Sequence, residues 1–228
     1  MTLLRDCLAV FCASDSKRND SALRDLILET LIRKTEDIYQ VLPLSEALVG
    51  CLAHFKEDAC APVTAALIHE TFLAISAPKL HVPAYNQRVR FSVLKCYGNF
   101  YASRPKWLEV VGLAAFTEAV ILATDGEKDP RNLVLAFDLL AKVIRAQNDE
   151  LRAPELFDRI EAYFPIAFSP PKDDKFKVKP EDLKSKLHSC FAASPIILDQ
   201  AVPFLLEKLT APQMEAKLDC LDVFMQIF

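Results

Sequence analysis

Asp129-Pro130-Arg131-Asn132-Leu133 opens the stretch that decides the fold, because Leu133, Phe137, Leu140 and Ile144 then recur at i, i+4, i+7 and i+11, the spacing of one helix face. Asp129 is a residue type that caps helix N-termini, and Pro130 suits the first helical position, where an N–H would have no intrahelical partner. The same punctuation returns along the chain. Ala61-Pro62-Val63, Ala153-Pro154-Glu155, Lys179-Pro180-Glu181-Asp182, Ser194-Pro195-Ile196 and Ala211-Pro212-Gln213 each precede an amphipathic stretch. Glu181 and Asp182 add negative charge to a first turn, where the helix dipole favours it. Met214, Leu218, Leu221 and Met225 repeat the first spacing, Leu183, Leu187 and Cys190 or Phe191 line a shorter face, and Leu23, Leu26, Ile27 and Leu31 line an early one. Tyr85 to Tyr101 reads as a helix with Val89, Val93, Cys96, Tyr97 and Phe100 on its core side. Trp107 to Thr124 reads as another, stopped by Asp125-Gly126, and Val63 to Ile75 as one more.

Composition agrees with this reading. The chain has 228 residues, 52% of them hydrophobic, with four glycines and fourteen prolines. That apolar share supports a buried core, and four glycines are too few for the turns of a many-stranded sheet. About ten or eleven helices of roughly 10–18 residues follow from the periodicity, with no credible strand. They could close into a bundle or stack as antiparallel pairs. Glycine-poor helix pairs of about 40–47 residues match the HEAT/armadillo period, and about five pairs fill the chain. The run Phe224-Met225-Gln226-Ile227-Phe228 is an apolar helical pattern without a C-cap, so the last helix expects a neighbour. The expectation is an all-α solenoid of HEAT/armadillo-like helical repeats over residues 1–228. Pro203, within Ile196 to Leu209, is expected to bend a helix or to start a second short one.

Sites of chemistry are hard to build from this sequence. The 27 basic and 31 acidic side chains give a formal charge of −4, which argues against a basic face for nucleic acid. No window reaches the roughly 18 uncharged apolar residues of a membrane span, and the N-terminus lacks the features of a cleaved signal. Seven cysteines, an odd number set in apolar runs, read as reduced core residues of a cytosolic or nuclear protein. Cys51, His54 and Cys60 superficially suggest a metal site, but a zinc site needs four converging ligands and no second pair accompanies them. Cys7 and Cys12 make no CxxC, His69-Glu70 lacks the second histidine of HExxH, and His81 sits in a proline-flanked connector. No catalytic residue, cofactor or metal is expected.

Two non-helical stretches are informative. Thr124 to Asn132 is a helix stop, a turn and a helix start. Its geometry accounts for Gly126, Asp129 and Pro130, leaving Glu127, Lys128 and Arg131 as surface ion pairs or contacts to a partner protein. Tyr163 to Pro180 is long for a connector in a helical protein. It reads either as a packed crossover, with Tyr163, Phe164 and Phe168 covering a repeat edge, or as a docking loop whose basic part includes Lys172 and Lys175. Glu127, Lys128, Arg131, Tyr163, Phe164, Phe168, Lys172 and Lys175 are therefore the candidate protein-contact residues.

These stretches also carry a family resemblance. Asp125-Gly126-Glu127-Lys128-Asp129-Pro130-Arg131-Asn132-Leu133 with Ala136-Phe137, then Tyr163-Phe164-Pro165-Ile166, Phe168 and Pro170-Pro171, then Glu181-Asp182-Leu183 and Ala216-Lys217-Leu218-Asp219, closely resemble the N-terminal domain of the MMS-nineteen nucleotide excision repair family. The resemblance is carried by Asp125 to Leu221 and is only helical in style over residues 1–124. It implies a non-enzymatic HEAT-repeat adaptor of cytosolic iron–sulfur assembly, in the nucleus and cytoplasm, that brings apoprotein clients such as helicases and polymerases for cluster insertion. Its links would be to DNA repair and transcription. It further implies that residues 1–228 form one N-terminal HEAT-type repeat domain of a longer scaffold, and that other subunits of the targeting complex dock on C-terminal repeats absent from this chain. No membrane and no direct nucleic-acid binding are expected. A generic helical-repeat interaction scaffold is the alternative.

Overall fold

The computed structural model describes residues 42, 43, 45, 85–103, 112–170 and 178–228. The expected helices at Leu23–Leu31 and Val63–Ile75, the Cys51, His54 and Cys60 group, and Lys172 and Lys175 lie outside them. Among the described residues every regular element is helical: α1 (Gln87–Ser103), α2 (Leu113–Thr124), α3 (Pro130–Ala146), α4 (Ala153–Glu161), α5 (Pro180–Phe191), α6 (Leu198–Leu209) and α7 (Met214–Ile227). Short 3-10 turns at Glu150–Arg152 and Pro195–Ile197 lead into α4 and α6. The chain divides into two compact units, Met1–Ala123 and Thr124–Phe228.

In the first unit α1 buries Val93, Cys96, Tyr97 and Phe100, four of the five positions expected to face inward; Val89 is half-buried. Phe116 of α2 is the aromatic these residues meet, stacked on Phe100 at 5.4 Å and edge-on to Tyr97 at 5.9 Å. Asp125-Gly126 ends α2 as the sequence predicts, with Gly126 at φ 64°, a left-handed conformation that costs a residue with a Cβ energy and glycine little.

The second unit is built in two layers. Helix α5 packs on α3 and on α7, while α4 packs on α6, so alternate helices stack and consecutive ones change layer. With α6 packed on α7 and α3 on α4 as well, this unit has the stacked helix pairs of a helical-repeat solenoid. Leu133, Phe137, Leu140 and Ile144 of α3 are all buried, as are Leu183, Leu187, Cys190 and Phe191 of α5. The Cys190 thiol donates to the Phe137 carbonyl at 3.1 Å, and burial raises its pKa far above the ordinary thiol value, so it serves as a core residue. Lys186 of α5 and Lys142 of α3 both grip Asp138, at 2.8 and 2.7 Å, along the outer edge of the α3–α5 contact.

Three features differ from the sequence reading. Pro195 opens a 3-10 turn capped by the Ser194 hydroxyl, and α6 then runs through Pro203. Pro203 does not start a new helix; it lies exposed inside α6, which continues past it without the bond its own N–H would have made. Pro212 stands before the α7 cap, Gln213, instead of at the first helical position. The third difference is a face. Met214, Leu218, Leu221 and Met225 do lie on a helix, but all four are exposed, and α7 buries Ala216, Asp219, Cys220 and Val223 instead. The face that α7 turns to α5 and α6 is made of these smaller residues, and spacing alone does not say which face a neighbour covers.

Candidate functional site

The turn between α2 and α3 is organised around the Glu127 carboxylate, which is 1% exposed. Its Oε1 accepts the backbone N–H groups of Lys128 and Asp129, both at 2.9 Å, and its Oε2 accepts Asn132 Nδ2 at 2.8 Å. Asn132 is itself fully buried. The next acid, Asp129, caps α3 by accepting the Arg131 N–H at 3.0 Å and holds the Arg131 guanidinium at 2.8 and 2.5 Å. One turn thus satisfies its own donors with two acids two residues apart, and each has a separate task.

The chain repeats the device before α4. Gln147 Oε1 accepts the N–H groups of Asn148 and Asp149, both at 3.2 Å, and Asp149 then caps the following 3-10 turn through Leu151 N at 3.0 Å. Glu127-Lys128-Asp129 and Gln147-Asn148-Asp149 are one motif, an acceptor side chain followed two residues later by a capping aspartate.

Tyr163 and Phe164 lock this turn to the rest of the unit. The Tyr163 hydroxyl donates to the Glu127 carbonyl at 2.9 Å, and its ring meets Phe137 edge-on at 5.3 Å. Burial, with the Glu127 and Asp125 charges adding to it, pushes the Tyr163 pKa up to about 12, so the hydroxyl keeps its proton and donates throughout the physiological range. Asp125 is ion-paired with Arg159 of α4, which ties the same corner from a third side. Phe164 is buried in a cluster with Phe157, Phe191 and Phe204: it stands edge-on to Phe191 at 5.4 Å and to Phe204 at 5.8 Å, and Phe191 stacks on Phe204 at 6.2 Å. Lys208 lies 4.9 Å over the Phe204 ring. The Phe164–Pro165 peptide that leaves the cluster is cis.

The structure therefore sorts the predicted contact residues. Glu127 corrects the reading that turn geometry does not need it, because its carboxylate is the acceptor on which the turn closes. Tyr163 and Phe164 stand as a packed crossover; Phe164 is internal and Tyr163 half-buried. The Tyr163 and Phe164 rings face inward because each has an aromatic partner in α3, α5 or α6. Arg131 is folded back on Asp129 and partly exposed, Lys128 is exposed, and Phe168 is half-buried. Lys172 and Lys175 lie outside the described residues.

A second group of polar residues, which the sequence reading missed, lies where α5 meets α7. Lys184 donates to Glu215 at 2.8 Å and to the buried Asp219 at 3.1 Å. Burial alone would lower the Lys184 pKa, but these two carboxylates outweigh it and hold it above the ordinary value. His188, buried on α5 beside Phe164, has its pKa lowered by burial against the pull of Asp219 and Asp222. The spacing Lys184, His188 on α5 and Glu215, Asp219, Asp222 on α7 is the signal that could have found this group. Among the described residues no three His, Cys, Asp or Glu side chains converge on a point where a metal ion could sit. No single described helix is long and apolar enough to cross a membrane.

Comparison with known proteins gives one family. A family model described as Dos2-interacting transcription regulator of RNA-Pol-II, MMS19 N-terminal, matches residues 1–228. A mouse protein named MMS19 nucleotide excision repair protein homolog is 38% identical over 157 residues, 65% of this chain and 15% of its own length. The DNA repair/transcription protein MMS19 of Saccharomyces cerevisiae is 43% identical over 107 residues, 46% of this chain and 10% of its own. The Arabidopsis thaliana MMS19 homolog is 30% identical over 208 residues, 87% of this chain and 18% of its own. The chain thus spans less than a fifth of the length of these relatives.

Proposed function

The chain belongs to the MMS19 family, a DNA repair and transcription family, and from that premise we propose that it is part of a non-enzymatic adaptor of cytosolic iron–sulfur protein assembly. In this reading it works in the nucleus and cytoplasm and helps to present apoprotein clients, such as helicases and polymerases, for cluster insertion. Other subunits of the targeting complex would be held through repeats C-terminal to those of this chain, and neither membrane nor nucleic acid is bound directly. The observation that carries the reading is that the two family signature stretches, Asp125–Leu133 and Tyr163–Ile166, are one interlocked element. Such an element gives a stacked scaffold a fixed corner, which suits a protein that positions others. The outward parts of that corner, Lys128 and the partly exposed Arg131 and Phe168, are the proposed contact points, together with Lys172 and Lys175 of the sequence that follows.

The test is affinity purification of the tagged full-length family protein containing this chain from cells. Recovery of iron–sulfur clients and assembly subunits is the expected result, and recovery of neither would overturn the reading. Alanine replacement of Lys128 and Arg131 then asks whether the turn is a contact: lost clients with an unchanged melting curve would support it, and full retention of every partner would remove it.

A further inference from the structure

Ser-Pro occurs at Ser169-Pro170 and at Ser194-Pro195, and the structure puts the two dipeptides in opposite settings. Ser194 is built in. Its hydroxyl caps the 3-10 turn by accepting the Ile196 N–H, Pro195 opens that turn, and Ile197, three residues after the serine, is fully buried. Ser169 is presented. Residues 166–170 belong to no helix or turn, and Ala167, Ser169 and Pro170 are exposed while Ile166 and Phe168 are half-buried. Among the described residues the Ser169 hydroxyl has no hydrogen-bond partner. Its exposure is not that of an end face: repeats in a solenoid contact only their neighbours, so a following repeat stacks on α6 and α7, whereas this segment lies between α4 and α5.

These differences matter for one kind of chemistry. A protein kinase positions its acceptor hydroxyl in line with the transferred phosphoryl group, which requires several residues on either side of the serine to lie extended in the catalytic cleft. Pro170 favours that shape, because the residue before a proline is pushed to extended backbone. Proline also has no N–H, so it suits a cleft that offers the residue after the acceptor no hydrogen-bond partner. The sequence continues Pro171-Lys172, with a basic residue at the third position after the serine.

We propose that Ser169 is a phosphorylation site for a proline-directed serine kinase that favours a basic residue three positions after the acceptor, and that Ser194 is not one. The Ser169 Oγ attacks the γ-phosphorus of a magnesium-bound nucleoside triphosphate, the bond from that phosphorus to the β-phosphate oxygen breaks, the nucleoside diphosphate leaves, and the hydroxyl proton passes to the kinase's general base. The product carries about −1.5 to −2 charge beside Phe168. That the charge would alter a partner contact rests on the reading of Phe168 given above; the site itself does not.

The test is treatment of the folded 228-residue chain with a kinase of this specificity and magnesium ATP, alongside a synthetic peptide copy of residues 163–175, read by intact mass and fragment mapping. One phosphoryl group on Ser169 and none on Ser194 is the expected result. Ser169→Ala should abolish incorporation, and Pro170→Ala should slow it at least about tenfold, each with an unchanged circular-dichroism melt because both side chains are exposed. A folded chain left unmodified while the peptide is phosphorylated would overturn the proposal, because the segment would then not be presented, and refusal of the peptide itself would overturn it equally. So would incorporation that survives Ser169→Ala, or modification of Ser194 at a rate matching that of Ser169.

Discussion

In α3, Leu133, Phe137, Leu140 and Ile144 are all at or near complete burial, whereas in α7, Met214, Leu218, Leu221 and Met225, at the same spacing, all face outward. The two helices, of 17 and 14 residues, share the step from one apolar residue to the next. They differ in what lies against them. The α3 stripe is met by α4, α5 and the Tyr163 ring, while α7 meets α5 and α6 through Ala216, Cys220 and Val223 on the opposite side. Periodicity reports that a helix has an apolar face. It does not report whether the described structure supplies the surface that covers it.

Substitutions along this contrast have effects that can be ranked. The largest is expected at Phe137, fully buried and edge-on to Tyr163: Phe137→Ala should cost roughly 3–5 kcal/mol, read as a lower urea midpoint. Tyr163→Phe keeps that ring contact and removes only the bond to the Glu127 carbonyl, so it should cost about 0.5–1.5 kcal/mol in the same assay. At the bottom of the ranking, Leu218→Ala on the exposed stripe should change stability by no more than about 0.5 kcal/mol. A large loss at Leu218 would mean that the α7 stripe is covered within the unit, which would erase the contrast with α3.

The pH dependence sharpens the same comparison at the α5–α7 boundary. Burial depresses the His188 pKa in the folded chain, so below the ordinary value of 6.5 the unfolded chain binds the proton more readily. The stability that His188 contributes by staying neutral is therefore complete above pH 6.5 and is lost as the pH falls below it. Thermal melts of His188→Gln should lose less stability than the parent chain over that acidic range. Equal losses would assign the pH dependence to other groups.

Much of the fold was legible because helix starts are written in local chemistry. Asp129-Pro130, Lys179-Pro180 and Asp125-Gly126 fix ends through residues that act within one turn, and the α3 and α5 core faces follow from spacing. Pro203 was harder, since a proline inside a helical pattern can bend, break or restart the helix, and spacing alone does not say which. The site was legible as a pair of sequence stretches, but not as a structure. Glu127 looks like a surface acid in a charged turn, and nothing local announces that Tyr163, far along the chain, closes over it. The recurrence of the same acceptor-then-aspartate spacing at Gln147-Asn148-Asp149 was the available clue. The sign of the α7 face was not available, because it depends on the small residues that α5 and α6 accept.

The central claim is that the signature turn is held together from within by Glu127, and that partner contacts belong to its outer residues. The most direct measurement is equilibrium urea unfolding of Glu127→Gln, which keeps the size of the side chain but gives up one acceptor and the negative charge that answers three donors, the Asn132 amide among them buried. A lower midpoint is predicted, corresponding to a loss of about 1–3 kcal/mol, with an unchanged slope. An unfolding curve superimposable on that of the parent chain would contradict the claim.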